Sequence, residues 1–371
     1  MKIQENVLLA PYTTFKIGGP AKFFCIVNDQ FDALSAYDFA DKNRLKTLVL
    51  GGGSNVLISD KGFDGLVLKV ENKGIEILFQ NENFVTLKVA SGENWDEVVK
   101  FAVKNNWWGI ENLSHIPGSS GAIAVQNVGA YGQEAKNVIE SVVVFNKATH
   151  EIQNLQTQDC HFAYRSSIFN ASRKGNFIIF YIVFKLSKMA KPILSYRDLK
   201  KYFQLSETLS APAVPGHLPQ KGENNNVLSL EKIREAIIYI RDKKFPFPTE
   251  AKKGNAGSFF KNPVLSKEQY NVLKETLDVN FGTQKVAELE TKQFVEEEKI
   301  KVPAAFLIDL CGLKDLQVGG AAINANQPLV IVNESGTASA QDVLSLANRV
   351  KAEVKNKTGI ELMFEPELIG F

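Results

Sequence analysis

Two glycine-rich segments carry the groups best placed to hold a phosphorylated ligand. Gly51-Gly52-Gly53-Ser54-Asn55 follows directly on the strand-like run Thr47-Leu48-Val49-Leu50. Further along, Pro117-Gly118-Ser119-Ser120-Gly121 is followed closely by Asn127-Val128-Gly129-Ala130-Tyr131-Gly132. Glycine lets a backbone approach a ligand and take positive φ, so successive amides can line one concavity. Two such loops can grip a diphosphate from both sides without a lysine. That suits a retained dinucleotide cofactor better than a nucleotide that is hydrolysed and released. No Gly-Lys-Ser/Thr follows the first loop, so it is not a P-loop, and the Rossmann fingerprint is missing too. A glycine hairpin with no ligand is the rival reading of either loop alone.

Other chemistry has little material. The four histidines, His115, His150, His161 and His217, are scattered, and Cys25, Cys160 and Cys311 lack metal-ligand spacing. No metal is expected. His115 adjoins the second loop and reads either as a ligand contact or as a loop histidine facing water. A formal net charge of +2 argues against a nucleic-acid partner, and the 25 Phe do not alternate with basic residues. The opening residues hold no apolar core of signal-peptide length, and the run Phe177 to Phe184 is far short of the ~20 residues of a membrane helix. A reduced, cytoplasmic setting away from membranes is expected.

These groups need elements to position them. At 371 residues, 44% hydrophobic and 23% charged, the chain has the composition of a globular protein of two or three domains. Phe31, Leu34, Tyr37 and Ala40 are spaced for a helix on a small sheet. Asn94 is placed to cap a second helix with Glu97 in its first turn and Trp95, Val98, Val99, Ala102 and Val103 as its stripe; Trp95 reads as a packing residue. The continuous run 177–184 implies a strand buried on both faces. Residues 205–229, rich in Pro, Gly and Asn, read as a long loop or linker. Ser229 can cap a helix with Ile233, Ala236, Ile237 and Ile240 on one face, and Val343, Leu346, Ala347, Val350 and Val354 mark another. Strand-rich blocks with isolated helices favour α+β over a doubly wound sheet.

The two loops resemble the phosphate cradles of the FAD-binding domain of vanillyl-alcohol-oxidase-like (PCMH-type) flavoenzymes. Further segments sharpen the likeness: Thr14-Phe15-Lys16-Ile17-Gly18-Gly19, Phe162-Ala163-Tyr164-Arg165-Ser166-Ser167, Asn255-Ala256-Gly257-Ser258-Phe259-Phe260-Lys261-Asn262-Pro263, Gly319-Gly320-Ala321-Ala322 and Glu365-Pro366-Glu367. In combination and order they resemble the UDP-N-acetylenolpyruvoylglucosamine reductase family nearly end to end. The Tyr196 segment suggests the subtype that keeps a substrate-covering tyrosine loop.

The resemblance implies a two-part FAD-binding domain and a smaller α+β substrate-binding domain. Residues 1–70 and the tail 361–371 would form the first flavin subdomain, and 71–192 the second. The tyrosine loop, polar insertion and connecting helix would span 193–240, and the substrate domain 241–360. FAD would be held by Gly51, Gly52, Gly53, Ser54, Asn55, Pro117, Gly118, Ser119, Ser120, Gly121, Asn127 and Gly129. Many relatives of this flavin domain attach FAD through a histidine in the first glycine loop; none is present here, so non-covalent FAD is expected.

The implied reaction reduces UDP-N-acetylenolpyruvoylglucosamine to UDP-N-acetylmuramate for peptidoglycan, with NADPH as co-substrate, in a monomer. Hydride arriving at the enolpyruvyl group builds charge on its carboxylate, which a cation and an acid can stabilise. The resemblance assigns this to Arg165 and Glu367, and the proton to Ser258. Lys244 and Lys261 are candidates to ease loss of the serine proton. Tyr131, Tyr164, Tyr196, Lys244 and Asn262 match substrate positions. Two departures stand out. Leu368-Ile369-Gly370-Phe371 replaces the family's valine-arginine continuation, leaving Glu365 and Glu367 as rival acids with Glu367 preferred; and the stretch after Lys244 is longer. Plain rivals are an Arg165–Asp159 surface pair, a turn-capping Ser258 and a solvated Glu367. Other functions in view are an alcohol or lactone oxidase on the same flavin fold, and a non-catalytic flavin or nucleotide-sugar module.

Overall fold

The computed structural model describes residues 1–208, 228–244, 253–296 and 298–371. Most of the polar insertion and most of the lengthened stretch after Lys244 lie outside the described residues.

Near the N-terminus the strands Gln4–Leu8, Pro20–Val27, Phe63–Val70 and Lys46–Leu50 form one sheet in that spatial order. Phe63–Val70 runs parallel to both Pro20–Val27 and Lys46–Leu50. Gly51 therefore leaves from the carboxyl end of a sheet strand. Helix α1 (Gln30–Lys42) starts at Asp29, whose carboxylate accepts the N–H groups of Phe31 and Asp32, each at 2.9 Å. Its buried residues are Ala33, Ala36, Tyr37 and Ala40, whereas Phe31 stays 69% exposed. Tyr37 and Ala40 of the expected face are thus in the core with Leu34 packed partly against it, and Phe31 lies off it.

The second sheet is antiparallel, ordered Glu151–Gln156, Ile139–Asn146, Phe177–Ser187, Phe84–Ala90, Ile75–Gln80. Phe177–Ser187 is its central strand, which explains its unbroken apolar run. Helix α2 (Trp95–Lys104) begins where Asn94 Oδ1 accepts the Glu97 N–H at 3.2 Å. It buries all five residues of its stripe, each worth roughly 1.5–3 kcal/mol over exposure for the larger side chains. Trp95 Nε1–H donates to the Leu113 carbonyl at 3.0 Å, so the indole packs. Helix α3 (Ser120–Val125) follows the second glycine loop. Helices α4 (Arg197–Thr208) and α5 (Leu230–Lys244) come next. Ser229 Oγ accepts the Lys232 N–H at 3.3 Å, and Ile233, Ala236, Ile237 and Ile240 are buried.

In the C-terminal part, α6 (Lys267–Phe281), α7 (Thr283–Lys292), α8 (Ala304–Leu310) and α9 (Ala340–Thr358) share an apolar core. They accompany a sheet ordered Asn255–Ser258, Val330–Asn333, Ala321–Ile323, Gln317–Val318. Several contacts tie this part to the N-terminal one, among them the following. Asp60 accepts the N–H groups of Ala340 at 2.8 Å and Gln341 at 3.1 Å at the start of α9. The tail strand Glu367–Ile369 pairs in parallel with Val56–Ile58, just beyond the first glycine loop. The architecture is α+β. Among the described residues no helix is long and apolar enough to cross a membrane.

Candidate active site

The two glycine loops meet backbone to backbone. Gly52 N–H donates to Ser119 Oγ at 3.1 Å. A Cβ on Gly52 would stand 2.5 Å from Gly118 Cα and 2.7 Å from Ser119 N. One on Gly118, whose φ is +121°, would reach Ser54 Oγ at 2.5 Å, and one on Gly51 would reach Ser119 Oγ at 2.6 Å. Only glycine permits this approach. Among the described residues the amides of Gly53, Ser54, Gly118 and Ser119 have no protein acceptor. Close-packed loops with unused N–H groups fit a diphosphate, so the residues present suit FAD.

Ser120 and Gly121 contribute differently. Their amides donate to Glu93 at 2.8 Å and Ser91 at 2.9 Å, which fixes the loop. Asn127 is fully buried and its side chain is occupied within the protein. Its Nδ2 donates to Glu134 and to the Ala163 carbonyl, both at 3.1 Å, and its Oδ1 accepts from Lys136 N–H at 3.0 Å. Gly129 offers its carbonyl to Arg165 Nη2 at 3.0 Å. These two residues brace the turn that carries Tyr164 and Arg165.

Arg165 itself has φ +52°, a conformation that costs about 1–3 kcal/mol in a residue with a side chain. Its Nε donates to Glu365 Oε1 at 2.8 Å, with the two side chains 19% and 9% exposed. Burial opposes the Arg165 charge, but Glu365 and Tyr164 more than restore it and its pKa is raised. Burial pushes the Glu365 carboxyl up, against the pull of Arg165 and Lys261. Asp159 accepts the Gln156 N–H at 3.0 Å in a local cap, so the alternative Arg165–Asp159 pair does not form.

Glu365 also connects this cation to Ser258. Its N–H donates to the Phe259 carbonyl at 2.9 Å, one residue beyond the serine, and its carbonyl accepts from Asn55 Nδ2 at 3.2 Å. Asn55 Nδ2 donates to Gln126 as well, at 2.7 Å. Gly257 turns with φ +69° while its N–H donates to Asn255 Oδ1 at 2.9 Å, presenting Ser258 half-buried opposite Val330. Thr14 completes the circuit. Its N–H donates to the Gly53 carbonyl at 3.1 Å and its Oγ1 to the Asn255 carbonyl at 2.7 Å. The first glycine loop, the segment that carries Ser258, Glu365 and Arg165 are thus joined by a chain of hydrogen bonds.

Glu367, expected beside Arg165, is elsewhere. Its carboxylate pairs with Lys174 at 2.6 Å and its side chain is 36% exposed. The reason lies in the strand register: Glu367 N–H bonds the Asn55 carbonyl at 3.0 Å, while Glu365, before Pro366, lies along the Phe259 segment.

The expected substrate residues gather in a cleft of about 460 Å³ lined by Tyr131, Tyr164, Arg165, Tyr196, Asn262 and Lys301, among others. The Tyr164 ring has Lys301 Nζ at 4.4 Å and Arg165 Cζ at 5.3 Å. Tyr196 meets Tyr131 edge-to-face at 5.2 Å and stacks on Phe294 at 5.8 Å. Lys244 lies 5.8 Å over the Tyr131 ring and pairs with Asp198 at 2.7 Å. Asn262 Oδ1 accepts the Ala304 N–H at 2.9 Å. Ser258 is not part of this lining. His115 contacts Asp242 through Nε2 at 2.9 Å, linking α5 to the second glycine loop. Lys301 and Phe294 escaped notice in the sequence because each sits in a short, charged stretch that reads as solvated surface.

The chain matches two family descriptions: the UDP-N-acetylenolpyruvoylglucosamine reductase C-terminal domain over residues 248–369 and an FAD binding domain over residues 21–155. It is 36% identical over 371 residues to the UDP-N-acetylenolpyruvoylglucosamine reductase of Flavobacterium johnsoniae, covering 100% of both chains. To the enzyme of the same name from Neisseria meningitidis serogroup A it is 38% identical over 365 residues, covering 98% of this chain and 96% of the relative. The crystal structure of the Thermus caldophilus reductase shares the fold, with TM-score 0.63, 23% identity and coverage of 100% of this chain and 99% of that one. Full-length likeness to these relatives places the chain in the UDP-N-acetylenolpyruvoylglucosamine reductase family.

Proposed function

We propose that this chain reduces UDP-N-acetylenolpyruvoylglucosamine to UDP-N-acetylmuramate with NADPH and non-covalent FAD, in peptidoglycan precursor synthesis. Family membership supports the reaction, and the buried Arg165–Glu365 pair beside Ser258 is the observation that carries the mechanism. FAD, when bound, would supply the hydride chemistry between NADPH and the enolpyruvyl group. Gly51 to Asn55 and Pro117 to Gly121 would hold its diphosphate, and Asn127 and Gly129 brace the turn that carries Tyr164 and Arg165.

Arg165 offers a fixed positive charge to the substrate carboxylate, where negative charge builds. Preorganised charge in a water-poor site stabilises such a transition state without reorganisation. Glu365 aligns the guanidinium, while Glu367, the acid assigned by resemblance, stands two residues on beside the first glycine loop. Ser258 Oγ donates the proton to the carbon next to the one that receives hydride. Lys261 and Lys244 are the candidates to ease that proton's departure, and Lys244 is already paired with Asp198. Tyr131, Tyr164, Tyr196, Lys244 and Asn262 hold the UDP-sugar, with Tyr196 as cover.

Residues 1–70 with 361–371, and 71–192, form the cofactor half in this reading, and 241–360 the substrate half. The protein works as a cytoplasmic monomer without nucleic acid. NADPH and the sugar nucleotide use one cleft in turn, which requires ping-pong kinetics. Anaerobic stopped flow tests the whole: NADPH bleaches the flavin, and the enolpyruvyl sugar nucleotide restores its oxidised spectrum. Ser258→Ala leaves bleaching intact and slows recovery by roughly 10²–10⁴-fold. Equal slowing of both halves would remove Ser258 from proton donation, and peroxide release in air in place of recovery would favour the oxidase. Denaturation should release yellow FAD into the supernatant.

A further inference from the structure

Beneath the tyrosines of the cleft runs a buried polar chain that none of these roles uses. Asn112 lies in the short helical turn Glu111–Leu113 and is fully buried, as is Glu111. Its backbone N–H donates to Gln133 Oε1 at 2.8 Å, and Gln133 Nε2 donates to Glu111 Oε1 at 2.9 Å. Glu111 Oε2 accepts the Gly109 N–H at 2.6 Å. The Asn112 side chain, so placed, reaches two separate stretches of chain. Nδ2 donates to the carbonyl of Tyr131 and to the carbonyl of Ile193, each at 2.8 Å.

Those two carbonyls belong to the two sides of the tyrosine cover. Tyr131 is held at φ +48°, and its ring meets Tyr196 edge-to-face at 5.2 Å. Ile193 lies in the segment 190–195, which has no regular secondary structure and leads directly to Tyr196. Without strand or helix to set its register, such a segment depends on side-chain anchors. A primary amide has two donor protons in one plane, one for each carbonyl. Aspartate has the same shape but would turn acceptors toward both.

We propose that Asn112 is a positioning residue for the substrate cleft, setting the Tyr196 segment against Tyr131 so that the tyrosine cover closes in one register. This rests on the reading of the cleft as the UDP-sugar site. Glu111 and Gln133 hold Asn112 and contribute through it.

Asn112→Ala and Asn112→Asp test it in the full-length, flavin-loaded protein. Hydrogen exchange of the amides 193–199, measured without substrate, should quicken by about tenfold in both variants, while α9 is unchanged. In turnover the Ala variant should raise KM for the enolpyruvyl sugar nucleotide by roughly tenfold with little change in kcat. Combined with Tyr196→Ala, it should do no more than the worse single change, since both act through one cover. Unaltered exchange at 193–199, or KM penalties that multiply, would overturn the proposal. If Asn112→Asp fails to retain flavin, the Ala variant decides alone. The exchange experiment needs no substrate, so a wild-type protein that ignores the sugar nucleotide would sink the functional reading and leave this test standing.

Discussion

The glycine loops, proposed as the cofactor cradle, and the tyrosine cleft, proposed for the substrate, are built from different materials. The cradle is backbone: Gly52 lies so close to Gly118 that a single methyl group would collide with the other loop's main chain. The cleft is side chain: Tyr131 meets Tyr196 edge-to-face, Tyr196 stacks on Phe294, and Arg165 enters it from a strained turn with Glu365 behind. A site of amides tolerates almost no substitution at its glycines, because no rotamer can relieve a main-chain clash. A site of side chains degrades by degrees, since each ring or charge can be removed singly.

The largest effect should come from the cradle. Gly52→Ala should yield protein purified nearly colourless, read as the flavin-to-protein absorbance ratio, whereas Ser119→Ala, losing one hydrogen bond worth about 1 kcal/mol, should stay yellow. Full flavin in Gly52→Ala would break the distinction drawn here. Next, Arg165→Met should leave flavin content and bleaching by NADPH intact while slowing recovery with the enolpyruvyl sugar by about 10²–10³-fold.

The two tail acids sharpen the contrast within the cleft. Glu365→Gln replaces the carboxylate that accepts Arg165 Nε by a neutral amide and should shift stability by about 1–2 kcal/mol in denaturant unfolding. It should also change the pH profile. Burial raises the Glu365 pKa, so the native protein keeps this proton over a range in which the unfolded chain has released it. That contribution is full below the unfolded value and is lost as pH rises through the native one. Melting temperature plotted against pH above about 4 should therefore fall less steeply in Glu365→Gln. The smallest effect belongs to the exposed pair: Lys174→Ala and Glu367→Gln should each change stability by less than about 1 kcal/mol. A large loss of turnover in Glu367→Gln, with Glu365→Gln near normal, would return the acid's role to Glu367.

Legibility followed the same division. The glycine loops stood out because glycine runs have few other uses, and the Asn94 cap and the stripe of α9 were read correctly from local rules. On α1 the spacing marks Tyr37 and Ala40 correctly and Phe31 wrongly, and the buried Ala33 and Ala36 give too weak a periodic signal to correct it. Asn112 drew no attention at all: one asparagine between a glutamate and a leucine looks like a surface turn until the fold buries it.

By itself the sequence determined the family and singled out the glycine loops, Arg165, Ser258 and the tyrosines as candidates, because their motifs are contiguous. Only the tertiary structure decided which tail acid meets Arg165 and which buried amide bonds the Tyr131 and Ile193 carbonyls. Glu365 and Glu367 are the same residue type two positions apart, so the choice rests on how the tail strand pairs with Val56–Ile58. Asn112 reaches Tyr131 and Ile193 only once distant segments pack around it, and no local pattern encodes such a meeting.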